Sequence, residues 1–307
     1  WPNLIRLPAK RNIPVALVNA RMSDRSAEGY AKYRKLFKPV FASFSVICAQ
    51  SEQDRDRIKS VCHEKVPVHV CNSMKFDQVS EHAGSQREEM LKFAFGRGDH
   101  FVWTAASTHA GEEAVILEVF RELKKSLPKL KLVLVPRHHE RTPEVEEILQ
   151  RQKITYHRFT DIETGKAGAK ENTPGDCLLV NTTGVLIDFL QLSKVVFVGK
   201  SFAGNHGGHN IIEPAIYGKP IIHGPNMENF TLIVKCFRKT EAAWEVQDRH
   251  ELQNAVSKLY NDSDLREEFG KRAKQTVEAY KGAVDKTLKQ LIGLLPHSIG
   301  ATAEQTE

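Results

Sequence analysis

The residues best suited to chemistry crowd into a few loops, and the densest is residues 204–215, Gly-Asn-His-Gly-Gly-His-Asn-Ile-Ile-Glu-Pro-Ala. The paired Gly207 and Gly208 let a backbone come close against a ligand. Asn210 is placed to open a short helix whose dipole favours a phosphate. Glu213, three residues on, stands where a carboxylate accepts hydrogen bonds from ribose hydroxyls. A helix-capping box built from Asn210 and Glu213 explains those two residues alone. It explains neither the Gly-Gly pair nor the Gly224-Pro225 elbow further on.

Three other loops carry unusual polar residues. Pro136-Arg137-His138-His139-Glu140-Arg141 sets an arginine at a strand end, which suits bidentate binding of a phosphate. The bland alternative is a solvated ion-pair cluster with Glu140. In residues 106–113, Ser107 and Thr108 precede His109, Gly111, Glu112 and Glu113, so free N–H groups at a helix start could meet an anion. An ordinary Ser/Thr cap with acidic first-turn residues reads the same segment without a ligand. Asn181-Thr182-Thr183-Gly184 offers hydroxyls and a glycine to a nucleotide, or forms a plain capped turn. A metal site built from His206 and His209 with His138, His139 or His223 has no acidic partner at ligand spacing, so no metal is expected.

These loops need elements to hold them. Short β-branched runs alternate with amphipathic stretches, the signature of parallel βαβ units. Strands are expected at residues 14–18, 44–49 and 66–71, with a helix over 51–60 capped by Ser51. The rhythm breaks over 72–85, read as a linker, and restarts with strands at 101–105, 132–135, 177–180, 195–199 and 221–223. Helices are expected at 111–126, from Thr142-Pro143, and at 185–192, 210–217, 249–260 and 264–282. Residues 161–175 read as a surface loop, and the chain after Pro296 as a frayed tail. Two successive open α/β sheets bind ligands in the crevice at their strand C-termini.

Composition narrows the class. Hydrophobic residues make up 41% and charged residues 27%, the balance of a globular chain, and the longest apolar runs are far too short to span a bilayer. Five scattered cysteines in no CxxC spacing argue against a zinc ribbon or a disulfide framework. A net charge of +6 points to anionic partners, yet no arginine-rich arm or aromatic-basic motif suggests nucleic acid. The start at Trp1-Pro2-Asn3, without an initiator Met or a signal peptide, suggests a fragment of a longer chain.

The loop residues together make the sequence resemble the 3-deoxy-manno-octulosonate (Kdo) transferase family. The matching segments are Trp1-Pro2-Asn3-Leu4-Ile5, Asn19-Ala20-Arg21-Met22-Ser23, Ala49-Gln50-Ser51, Asn72-Ser73-Met74-Lys75-Phe76-Asp77, residues 107–113, Pro136-Arg137-His138, Gly207-Gly208-His209-Asn210 with Glu213-Pro214-Ala215, and Gly224-Pro225 followed by Asn229-Phe230. The resemblance implies a GT-B-like α/β fold, two Rossmann-like parallel-sheet domains facing a crevice, with the N-terminal one incomplete. It divides the chain into an acceptor-side remnant with linker (1–80), a CMP-sugar-binding domain (81–282), and a terminal helix end and disordered tail (283–307).

The implied activity is metal-independent transfer of Kdo from CMP-Kdo to the lipid A precursor, in lipopolysaccharide core biosynthesis. CMP-Kdo is a substrate, and no cofactor is implied. The implied nucleotide contacts are Pro136 and Arg137; Thr183, Gly184 and Val185; Asn210, Ile211, Ile212 and Glu213; and more weakly Ser107 and Thr108. The family usually has a Glu where this chain has Val185. Lys75 is implied as the group that stabilises the leaving phosphate in the transition state. The family's general base lies upstream of the Trp-Pro-Asn motif, so the expectation is a chain that binds CMP or CMP-Kdo weakly but transfers no sugar. Location at the cytoplasmic side of the bacterial inner membrane, through a preceding N-terminal segment, is likewise implied. Competing readings are a GT-B transferase or sugar-nucleotide epimerase with a UDP or ADP donor, and a non-catalytic module for anionic lipid or a partner enzyme.

Overall fold

The computed structural model describes residues 2–77, 87–165 and 173–295. Two compact units emerge: Trp1–Gln78 together with Tyr280–Glu307, and Val79–Ala279. Trp1, most of the expected linker, residues 166–172 of the expected surface loop and the tail from Pro296 lie outside the described residues.

In the first unit, β1 (Ala16–Ala20), β2 (Val46–Ala49) and β3 (Val68–Val70) form a parallel sheet in that order. Every residue of β2 is buried, as a central strand covered on both faces requires. The helix Glu52–Val61 starts as expected, with the Ser51 hydroxyl accepting the Asp54 N–H at 3.1 Å. The Asp54 carboxylate reaches back to the N–H of Met22 at 2.9 Å and so ties this helix to the loop after β1. Helices Pro2–Lys10, Asp24–Lys32 and Arg34–Phe41 were not anticipated, and two of them contain a proline that obscures the pattern.

The expected last helix needs correction. The helix read as 264–282 ends at Tyr280, and a separate helix, Ala283–Ile292, belongs to the first unit. Its start is capped from far away in sequence. Asp77 accepts the Gly282 N–H at 2.8 Å and the Val284 N–H at 2.7 Å, while Phe76 stacks on Tyr280 at 5.3 Å. Asp77, in the Asn-x-x-Lys-Phe-Asp segment, is therefore a helix cap.

The second unit holds β4 (Phe101–Thr108), β5 (Leu130–Pro136), β6 (Tyr156–Arg158), β7 (Cys177–Leu179), β8 (Val195–Val198), β9 (Ile221–His223) and β10 (Trp244–Glu245). The sheet order is β10-β9-β8-β4-β5-β7-β6, and every pair is parallel. Phe101, Trp103 and Ala105 of β4 join Leu130, Leu132 and Leu134 of β5 in one core cluster. Val102, Val133 and Val135 point to the other face, where Phe159 and Phe189 cover them. Period-two alternation with both faces apolar yields the unbroken hydrophobic runs read from the sequence.

After β4 the chain builds outward through β5, then returns to lay β8 on the other side of β4. The order therefore reverses between β4 and β8. Ligands of open parallel sheets bind outside the strand C-termini at that place. Among the described residues, no helix is long and apolar enough to cross a membrane.

Candidate functional site

A pocket opens at that reversal. Ala106 and Ser107 from the end of β4 and Val198 from the end of β8 form its base, and Arg137, His209, Asn210 and Glu213 supply its polar lining. Leu186, Leu190, Pro214 and Phe230 contribute apolar surface. Arg137, Asn210, Glu213 and Ser107, named from the sequence, thus meet in one cavity.

The two arginines after β5 have different jobs. Arg141 pairs with Glu113 at 2.9 Å and with Glu144 at 2.9 Å, and so braces two helix starts. Glu140, the expected partner for Arg137, stands by the Nδ1 atoms of His138 and His139 at 3.3 and 3.4 Å. The Arg137 backbone is fixed, its N–H donating to the Thr108 carbonyl at 2.9 Å. Its guanidinium makes no hydrogen bond to a protein acceptor among the described residues and faces the pocket.

The Asn210 segment differs from its expected form. The helix is only Ile212–Ile216, too short for a substantial dipole, and Ile211 occupies the cap position. The Asn210 side-chain carbonyl accepts the Ile212 N–H at 3.1 Å, and its amide donates to Glu213 at 3.2 Å. Glu213 therefore orients the Asn210 side chain instead of closing a capping box. Burial pushes the Glu213 carboxyl up, against the Asn210 amide and the Arg137 charge, which pull it down.

The segment 106–113 also needs correction. Glu112 is fully buried and accepts four backbone N–H groups: His109 at 2.9 Å, Lys200 at 2.8 Å, and Ser201 and Phe202 at 3.0 Å each. The N–H of His109 thus serves Glu112 and is not offered to a ligand. The carboxylate instead clamps the loop after β8 to the end of β4. Burial raises its pKa against the pull of those four donors. Thr108 is fully buried as well, and its hydroxyl has no partner among the described residues, so of this pair only Ser107 reaches the pocket.

The Gly207-Gly208 pair serves packing. A Cβ on Gly207 would stand 2.5 Å from the Asn229 amide nitrogen, and one on Gly208 would stand 2.3 Å from the Met227 sulfur. Gly208 also has φ +69°, which suits glycine. Gly208→Ala is expected to cost about 1–3 kcal/mol of stability through crowding and backbone strain. Urea unfolding that leaves the midpoint unmoved would contradict this account.

Other named residues lie outside the cavity lining. Pro136 ends β5 with its side chain buried, and Ile211 and Ile212 are fully buried, which leaves only their backbone for any contact. Thr183 and Gly184 are exposed, while Val185 packs toward the core beside Leu186. Lys75 sits in the first unit, half-buried in the 3-10 turn Met74–Phe76, where burial and then the nearby Arg21 lower its pKa. Among the described residues, no three His, Cys, Asp or Glu side chains are grouped to hold a metal ion.

Sequence reasoning weighed His209 only as a metal ligand and passed over His109. In the structure, the His109 ring lies 5.1 Å from that of His209 and 5.5 Å from that of His138. The histidines were visible one by one in the sequence, but the meeting of three loops was not.

Two parallel α/β units, with a polar pocket at the strand reversal of the second, give the chain a GT-B-like fold. A putative UDP-N-acetylglucosamine 2-epimerase from Listeria monocytogenes shares this fold, with a TM-score of 0.57 at 12% identity over 94% of this chain and 72% of that one. Residues 1–78 match the family model of 3-deoxy-D-manno-octulosonic-acid transferase. The 3-deoxy-D-manno-octulosonic acid transferase of Haemophilus influenzae is 31% identical over 97% of this chain and 68% of its own length. The crystal structure of the C-terminal CMP-Kdo binding domain of WaaA from Acinetobacter baumannii matches 62% of this chain and 95% of that one, with 31% identity and a TM-score of 0.55. The chain belongs to the 3-deoxy-D-manno-octulosonic acid transferase family of glycosyltransferases. It spans between 41% and 68% of the length of such curated relatives.

Proposed function

We propose that residues 79–279 bind the nucleotide of CMP-Kdo, and that the protein transfers Kdo from it to a lipid A precursor. One observation carries the donor assignment: the Arg137 guanidinium, without a protein acceptor among the described residues, shares a pocket with Asn210 and Glu213 at the strand reversal. In this reading Arg137 holds the phosphate in a charge-assisted, bidentate grip, with Pro136 stiffening its approach. Glu213, oriented by Asn210, accepts the ribose hydroxyls. The backbone of Ile211 and Ile212 borders the nucleotide, Ser107 adds a hydroxyl, and Thr183, Gly184 and Val185 edge the base.

The chemistry asks for such a site. Breaking the bond between sugar and CMP develops negative charge on the departing phosphate and cationic character on the sugar. Preorganised cations stabilise that departing charge without a metal. Lys75 keeps the leaving-group role that the family resemblance gives it.

The test is a thermal-stability titration of the chain with CMP, UDP and a UDP-sugar. CMP at about 100 times its Kd is expected to raise the midpoint of the second unit by roughly 5–10 °C, with no matching effect of UDP. Stabilisation by UDP alone would favour the epimerase-like reading. No stabilisation by any nucleotide would sink the donor assignment and favour a non-catalytic module.

A further inference from the structure

Arg137 and His209 line this pocket, and His109, His138 and Lys200 lie within electrostatic reach of His209, more basic chemistry than a single phosphate requires. His109 follows β4, Arg137 and His138 follow β5, and Lys200 and His209 follow β8. Each nearby carboxylate except Glu213 is engaged elsewhere: Glu112 by four backbone N–H groups, Glu113 by Arg141, and Glu140 by His138 and His139. The His109 ring is anchored by its Nδ1 to the Ser107 carbonyl at 3.2 Å and lies beside the ring of His209. Nε2 of His209 is shut off from solvent and has no hydrogen-bond partner among the described residues. A buried ring nitrogen in that state has lost water without gaining a partner, which calls for a polar guest.

The sugar of this family is an ulosonic acid. In its nucleotide-activated form, the carbon that carries the phosphate oxygen also carries the carboxylate. Two negative groups therefore stand on one carbon, and a site for them needs two adjoining anion-binding points. We infer that His209, packed against His109 with Lys200 and His138 in electrostatic reach, binds the carboxylate of the donor sugar beside the phosphate held by Arg137. This rests on the CMP-Kdo reading above and narrows it to a nucleotide sugar whose anomeric carbon bears an acid.

The electrostatics fit a hydrogen-bond donor. Burial, followed by the charges of His109, Arg137, Lys200 and His138, holds the His209 pKa down to about 4. The ring is neutral at pH 7 and offers an N–H. A bound carboxylate adds negative charge and draws a proton onto the imidazole, so the bound-state pKa lies above the free one. Preference for the acidic sugar then strengthens as pH falls from 7 toward 5. His109, Arg137, His138 and Lys200 act on His209, and Glu213 shares its pocket, so the pH dependence of CMP-Kdo affinity is compared between the unaltered chain and His209→Ala, which isolates the His209 contribution from theirs.

The experiment is calorimetric titration of the full chain with CMP and with freshly prepared CMP-Kdo. The unaltered chain is expected to bind CMP-Kdo at least about tenfold more tightly than CMP, the scale of one hydrogen bond to a charged group. His209→Ala should bring that ratio to within about threefold of unity, and His209→Gln, which keeps an N–H near the same place, should restore part of it. Thermal midpoints show that each variant is folded, and if His209→Ala fails to fold, His209→Gln and His109→Ala carry the test. The inference is overturned if the unaltered chain has no preference for CMP-Kdo. It is equally overturned if the variants leave the ratio intact or weaken both ligands by one factor. Failure of the unaltered chain to bind CMP at all overturns the CMP reading itself, and the inference with it.

Discussion

Arg137→Met is expected to weaken CMP binding by about 10- to 100-fold, the equivalent of about 1.5–3 kcal/mol for a hydrogen bond to a charged group. The guanidinium has no protein acceptor among the described residues, and Glu213, which feels its charge, keeps the Asn210 amide as a hydrogen-bond partner when it is removed. The tie that fixes this segment is the backbone N–H of residue 137 to the Thr108 carbonyl, and any side chain preserves it. Stability of the unliganded chain should therefore stay within about 0.5 kcal/mol, as for an exposed substitution away from packing features. Arg141→Met should do the opposite, lowering stability by stranding the buried Glu113 and leaving CMP affinity largely intact. Calorimetric titration and chemical denaturation of both variants separate the two roles. An Arg137 variant that binds CMP as well as the parent removes the phosphate assignment.

Glu112→Ala is expected to destabilise the second unit by about 3–5 kcal/mol, the usual cost of breaking a buried charged network. The reason lies in the four N–H groups of His109, Lys200, Ser201 and Phe202, which have no other acceptor among the described residues. For a unit of this size the midpoint should fall by roughly 6–20 °C. Glu112→Gln should also be costly, because its NH2 group would point donors at donors while only one oxygen remains to accept. Denaturant unfolding of both variants checks this. A midpoint within about 2 °C of the parent would show that solvent replaces the carboxylate, and the clamp would be lost as an explanation.

What the sequence revealed and what it concealed divide along the distance over which each interaction acts. Strands β4, β5, β8 and β9 were legible because both faces are apolar, which leaves a run of buried residues in the text. The edge strands Tyr156–Arg158 and Trp244–Glu245 were not, being two or three half-exposed residues without such a run. The Ser51 cap was readable since donor and acceptor are three residues apart. Glu112 was not, because three of its four partners lie 88 to 90 positions later. Arg137 and Arg141 look alike on paper, and only the fold brings Glu113, 28 positions upstream of Arg141, to claim one of them. The helix at Asn210 was over-read because its apolar residues continue past the turn where hydrogen bonding starts.

The tether from Asp77 to the start of the helix Ala283–Ile292 also sets a timetable for synthesis. The two ends of that contact are 205 residues apart. At about 5–20 residues per second, the ribosome needs roughly 10–40 s between making one and making the other. Through that interval the whole second unit emerges and has time to fold. The three-stranded sheet meanwhile lacks the helix Ala283–Ile292, so a unit whose strands are made before the second unit is finished only after it.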